Sequence, residues 1–259
     1  MTRDTGLSLS LAAAVTITAW IVTILGAGSM SGSMPMPGGW SMSMAWMTMG
    51  SQPPAGRAAM FLGMWTVMMV AMMLPSVMPV VLLHRSLMAS RAGRGEAGAG
   101  SNLLLLTGYF AVWTGFGAFA YLIGTSMTGA AMRSASLSRS VPVATGVVVV
   151  FAGVYQLTSW KQACLSHCRS PLDFFARHQI RRPADSLMFG VHHGAYCAAC
   201  CWALMAIQLA LGVMSLPLMA AVAMVIYLEK CWKHGEKLAS VVGLLAVVGG
   251  ALLVLRAVA

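Results

Sequence analysis

Runs of apolar residues at about 7–27, 58–83, 102–125, 141–160, 187–211, 216–228 and 238–258 set the limits on this chain. A helix needs about 20 apolar residues to cross the hydrocarbon core of a bilayer. Lipid offers backbone amides no partner, so a spanning segment must satisfy them within itself. The sixth run is short and closely follows the fifth, as in a helical hairpin turning at "VMSLP". The expected fold is an all-α integral membrane protein with about seven transmembrane helices. Composition agrees: 59% of residues are apolar and 8% charged, where soluble domains carry about 25% charged residues. No polar stretch is long enough for a second domain, so residues 1–259 read as one polytopic unit.

The net charge of +10 does not point to nucleic acid, because the cations are divided by side. With the N-terminus inside, the inner face receives Arg3, Arg85, Arg91, Arg94, Lys161, Arg169, Arg177, Arg181, Arg182, Lys230, Lys233 and Lys237. The outer face receives only Arg57, Arg133, Arg139 and Arg256. This positive-inside bias places the N-terminus inside and the C-terminus outside. All six acidic residues also fall inside. The first run reads as an uncleaved signal anchor, since its leading segment is weakly charged and its apolar run is long. A multi-pass protein of the bacterial inner membrane is expected, with the lipid bilayer as its first partner.

The fifth run contains "VHHGAYCAACCWALM", residues 191–205. At 3.6 residues per turn, His193, Cys197 and Cys200 share one face; Cys201 and Gln208 flank it and His192 points elsewhere. Soft thiolates and an imidazole on one stripe suit Cu(I), with Zn(II) as the alternative. One cysteine in a span is ordinary packing. Three with a histidine within nine residues favour metal or redox chemistry, and an imidazole in lipid needs a partner.

Methionine is the second theme. The loop at about 28–57 is rich in Gly, Ser and Pro, and it repeats Met-x-Met at Met34–Met36, Met42–Met44 and Met47–Met49. Thioethers select Cu(I) and form no disulfides in an oxidising space. The other reading is an apolar patch for a partner or the membrane surface. The second run adds Met68, Met69, Met72 and Met73 at the depth of the fifth-run thiols, followed by Pro75 and Pro79. These four are metal donors if the two helices are neighbours, and gap-filling core otherwise.

Cys164 and Cys168 lie near the inner end of the fourth run, one helical turn apart. Donor softness therefore rises from outer thioethers, through mixed Cys and His at mid-membrane, to inner thiols. Cys231 and His234 read as a solvated loop end, and Glu229–Lys230 as an ordinary helix end. Tyr155, Gln156 and Thr158 are polar residues placed to bond a neighbouring helix or support a site. "SPLDFF" in residues 170–175 reads as the start of a short surface-lying helix.

The segments "WTVMMVAMMLPS", "GYFAVWTGFGAFAY", "GVYQLTSWKQACLSHCRSP", "GVHHGAYCAACCWALM" and "LEK" resemble a bacterial domain-of-unknown-function family labelled predicted metal-binding integral membrane proteins. The likeness covers roughly residues 60–230. It implies a metal-binding role for Met72, Met73, Cys164, Cys168, His193, Cys197, Cys200 and Cys201.

These readings converge on a membrane protein that binds Cu(I) through Met, Cys and His and passes it across or within the membrane. Delivery implies a metallochaperone or a membrane metalloenzyme as partner. The chain carries no Walker motif, so ATP-driven pumping is not expected, and an enzymatic role is less expected than a binding one. The alternative is a transmembrane thiol–disulfide relay between Cys197 or Cys200 and Cys164 or Cys168. Haem ligation ranks below both, because few histidines are suitably placed.

Overall fold

The computed structural model describes residues 3–30, 32–43, 46, 53–92, 97–170, 175 and 183–259. Among these are eight helices and one small hairpin. The long helices are α1 (Arg3–Met30), α2 (Pro54–Ala92), α3 (Ala97–Arg133), α4 (Ala135–Gln156), α6 (Pro183–Gly212) and α8 (Gly235–Val258). All six contain a stretch long and apolar enough to cross a membrane. The shorter helices are α5 (Ser159–Arg169) and α7 (Leu216–Cys231). Strands β1 (Ser33–Met36) and β2 (Trp40–Ser43) pair antiparallel. The surface-lying helix expected after Ser170 falls largely outside the described residues.

Two local departures from the apolar runs shape the site. The fourth run does not continue through Trp160. Thr158 is extended, and its hydroxyl accepts from Lys161 N at 3.3 Å. This N-cap ends α4 and starts α5 as a separate helix. The sixth run forms α7 of 16 residues. At 1.5 Å per residue that is about 24 Å, less than the roughly 30 Å of a hydrocarbon core.

The bundle's interior lies between α2, α3, α5, α6 and α7, where Met, Cys, Trp and Leu side chains form one continuous core. Helices α3 and α6 run parallel in backbone contact. A Cβ on Gly108 would sit 2.2 Å from Leu187 O, and one on Gly190 would sit 2.0 Å from Leu105 O. Only glycine permits this approach, which is the small-residue packing expected where lipid supplies no hydrophobic drive between helices. Helix α2 runs antiparallel to α6: Gln208 meets Met68 at one end and Ser186 meets His84 at the other. The peripheral α1 and α8 turn many large apolar side chains outward, including Leu25 and Leu245. In water those faces would be costly, whereas in lipid they are at home.

Candidate metal centre

Helix α6 carries its thiols through the interior. His193, Cys197, Cys200 and Cys201 are buried, and His192 is exposed, as the helical period requires. Cys200 Sγ lies 3.3 Å from Cys201 Sγ and 3.8 Å from Cys168 Sγ. Cys168 belongs to α5, so the cluster joins two helices. Two sulfurs that each sit about 2.3 Å from one ion are at most about 4.6 Å apart. Both pairs therefore meet the distance requirement for a shared soft ion. Among the described residues, no three His, Cys, Asp or Glu side chains are arranged to hold an ion as they stand.

Cys197 is held from two further helices. The Lys230 ammonium donates to its sulfur at 2.9 Å and to Ser76 Oγ at 3.4 Å. The Tyr109 hydroxyl lies 2.9 Å from the same sulfur, and the Tyr109 ring stacks on His193 with centroids 5.9 Å apart. An ammonium has donors only, so Cys197 is the acceptor in that contact. α3, α6 and α7 thus meet at one sulfur, and Ser76 of α2 bonds the same ammonium.

A second cation, this one fully buried, lies behind Cys200. Lys161 is fully buried and pairs with Glu229 Oε2 at 2.6 Å, while also donating to Cys200 O at 2.5 Å. Gln156 Nε2 donates to Glu229 Oε1 at 3.1 Å, and Arg169 Nη1 donates to Glu229 O at 3.1 Å. The reading of Glu229–Lys230 as an ordinary helix end is therefore corrected at Glu229, which is buried in this ion pair, while Lys230 is half-buried with its ammonium turned to Cys197. The polar residues of α4 do bond neighbouring helices, with Tyr155 donating to Ala199 O at 2.7 Å.

Met68, Met69, Met72 and Met73 are buried in the core that holds the thiols. Gln208 Nε2 reaches Met68 Sδ at 3.6 Å, so side chains of α2 and α6 meet. Cys164 and Cys168 part company: Cys168 reaches Cys200, whereas Cys164 is half-buried. Burial raises the Cys164 thiol above its usual range, with the Lys161 charge pulling the other way. Cys231 is exposed, and His234 packs edge-on against Trp232. Of the loop methionines, Met34, Met36 and Met42 lie on the hairpin, while Met44, Met47 and Met49 fall outside the described residues.

Sequence reasoning did not single out Lys161, Tyr109 or Ser76. One signal was available for Lys161, which interrupts the apolar and thiol residues of "TSWKQACL". A cation so placed needs a buried counter-charge, and Glu229 in "IYLEKCW" is a nearby candidate.

The long apolar helices and the buried thiol cluster define a helical membrane protein built around soft donors. Residues 62–253 match the family model described as PpoB2, copper chaperone. That covers most of the chain, which belongs to this family, in keeping with the resemblance drawn from its motifs. No curated protein and no solved structure matches the chain.

Proposed function

We propose that the protein is a membrane copper chaperone that holds Cu(I) at the thiol cluster and hands it to a copper-requiring partner. The observation that carries this reading is the buried meeting of Cys200 with Cys168 and with Cys201, beside Cys197 and its lysine. Membership of a copper-chaperone family supports it. Thiolates are soft donors that select Cu(I) over harder ions, with Zn(II) a weaker fit. His193 and the methionines Met68, Met69, Met72 and Met73 extend the donor set, and Cys164 is the next thiol along α5.

The surrounding charges suit this cargo. Two thiolates around one monovalent ion leave a net negative charge, and a bare charge in a low-dielectric interior is costly. Lys230 supplies the balancing cation next to Cys197. Lys161 is already neutralised by Glu229, so it positions the Cys200 carbonyl. Counting α7 as a seventh span gives the topology with N-terminus inside and C-terminus outside, in the inner membrane.

The test is Cu(I) titration of anaerobically purified protein against a competing chelator. Cys197→Ser/Cys200→Ser and Cys168→Ser should each lower affinity sharply. Unchanged stoichiometry and affinity in both variants would end this reading.

The same Cys168–Cys200 contact favours a second reading, a thiol–disulfide relay. Two thiols would give one disulfide, releasing two protons and passing two electrons to a partner disulfide or a membrane quinone. Mild oxidation followed by mass mapping distinguishes the two: a Cys168–Cys200 bond formed reversibly favours the relay, and persistent thiols favour the chaperone.

A further inference from the structure

The hairpin of β1 and β2 lies outside the matched segment 62–253. Its register pairs Met34 with Met42 and Met36 with Trp40. Side chains alternate along a strand, so Met34, Met36, Trp40 and Met42 all share one face. Ser33, Pro35, Ser41 and Ser43 take the other. Cross-strand partners bring Cβ atoms to about 4.5–5.5 Å, and successive same-face residues on a strand are about 7 Å apart. Three flexible thioethers and one indole thus stand around a patch small enough for one ion.

The scaffold beneath them is fixed. Gly38 and Gly39 have φ of +104° and +75°, which close the turn. A Cβ on Gly38 would lie 2.9 Å from Arg139 Cα, so the turn rests directly on the start of α4. Trp40 Nε1 donates to Ser138 O at 2.9 Å, and Ser138 Oγ donates to Pro37 O at 2.8 Å. The indole is therefore held by its edge. Exposure is graded across the face, from 42% at Met34 to 1% at Met42. Met42 is buried, yet it is not part of the main apolar core.

We propose that this hairpin face is a separate binding site for a soft monovalent cation, with Met34, Met36 and Met42 as thioether ligands and the Trp40 ring as a cation–π wall. The inference rests on the copper reading for its cargo, but it concerns a different place on the chain. Residues 32–43 contain no His, Cys, Asp or Glu. Such a donor set offers nothing to Zn(II), Mg²⁺ or Ca²⁺, and selects Cu(I) or its redox-inert analogue Ag(I). An indole is the strongest aromatic partner for a cation. Met34 gives the ion its way in, and Met42 provides the enclosed end. The site is a first stop for the ion before the thiol cluster.

The test uses full-length protein in lipid nanodiscs with all six cysteines changed to Ser. That background removes every thiol, and the Trp40 indole reports on the hairpin in particular. Ag(I) should still bind one equivalent there and perturb the indole, a change absent in Trp40→Phe. Met34→Leu/Met36→Leu/Met42→Leu keeps apolar volume and should abolish that equivalent, while Zn(II) should not compete. Methyl-labelled methionine NMR of the wild-type protein gives a second readout, with Ag(I) shifting the resonances of Met34, Met36 and Met42. Retained Ag(I) binding in the triple Leu variant, or methyl resonances that do not move, would overturn the site. Loss of the core equivalent alone, in the Ser background, would leave it standing.

Discussion

The Lys230 ammonium stands 2.9 Å from the buried Cys197 sulfur. A cation from α7 is thus fixed to the thiol of α6, with Tyr109 on the same sulfur. Replacing Lys230 by Met keeps the length of the side chain and removes its charge. Cu(I) affinity should fall on the order of 100-fold, corresponding to about 3 kcal/mol for an uncompensated buried charge. Chelator competition measures this, and an affinity equal to wild type would show that the cation plays no part in loading.

Glu229 holds Lys161 at 2.6 Å with both groups buried. Glu229→Gln leaves the ammonium without its carboxylate and should destabilise the protein by about 3 kcal/mol. Lys161→Met/Glu229→Gln should recover much of that loss, since neither charge then remains. Thermal unfolding in detergent reads both variants. Equal destabilisation by the single and the double change would mean that the ion pair is not the cause.

Cys164 and Cys168 are one turn apart, but only Cys168 touches the cluster. Cys168→Ser should weaken Cu(I) binding by roughly tenfold or more, in the range seen when a supporting group of a metal site is lost. Cys164→Ser should stay close to wild type. Alkylation adds a check, because burial raises the Cys164 thiol and slows its reaction near neutral pH. Raising the pH toward its ionisation should speed labelling.

Gly190 sits where a Cβ would meet Leu105 O at 2.0 Å, whereas Gly115 on α3 has open space. Gly190→Ala should therefore lower the unfolding temperature and loosen the thiol cluster. Gly115→Ala should be neutral or slightly stabilising, by up to about 1 kcal/mol from helix propensity. Melting curves of the pair distinguish close packing from a general effect of losing glycine.

Much of the site was legible because helical period is a local property. His193, Cys197 and Cys200 declare a shared face by spacing alone, and all three are buried. The second-run methionines share the buried core with the thiols, and Met68 meets Gln208 of α6. Charge was misread at Glu229 because a place near a helix end does not tell which other elements cover it: Lys161 of α5 and Gln156 of α4 both reach its carboxylate. Lys161 escaped notice for a related reason: Thr158 ends α4 early, and a new helix, α5, begins there with Lys161 buried in its first turn. Such pairings between distant segments depend on tertiary contacts that no single helix encodes.

Backbone contact between α3 and α6 at Gly108 and Gly190 has a mechanical result. A helix touching its neighbour main chain to main chain cannot slide or roll without collision, so Cys197, Cys200 and Cys201 ride on a rail. Cys168 stands instead on the 11-residue α5, set off from α4 by two residues that are not helical. The approach of that one sulfur to Cys200 thus depends on side-chain bonds from Lys161 and Arg169 to α7 rather than on main-chain contact between helices.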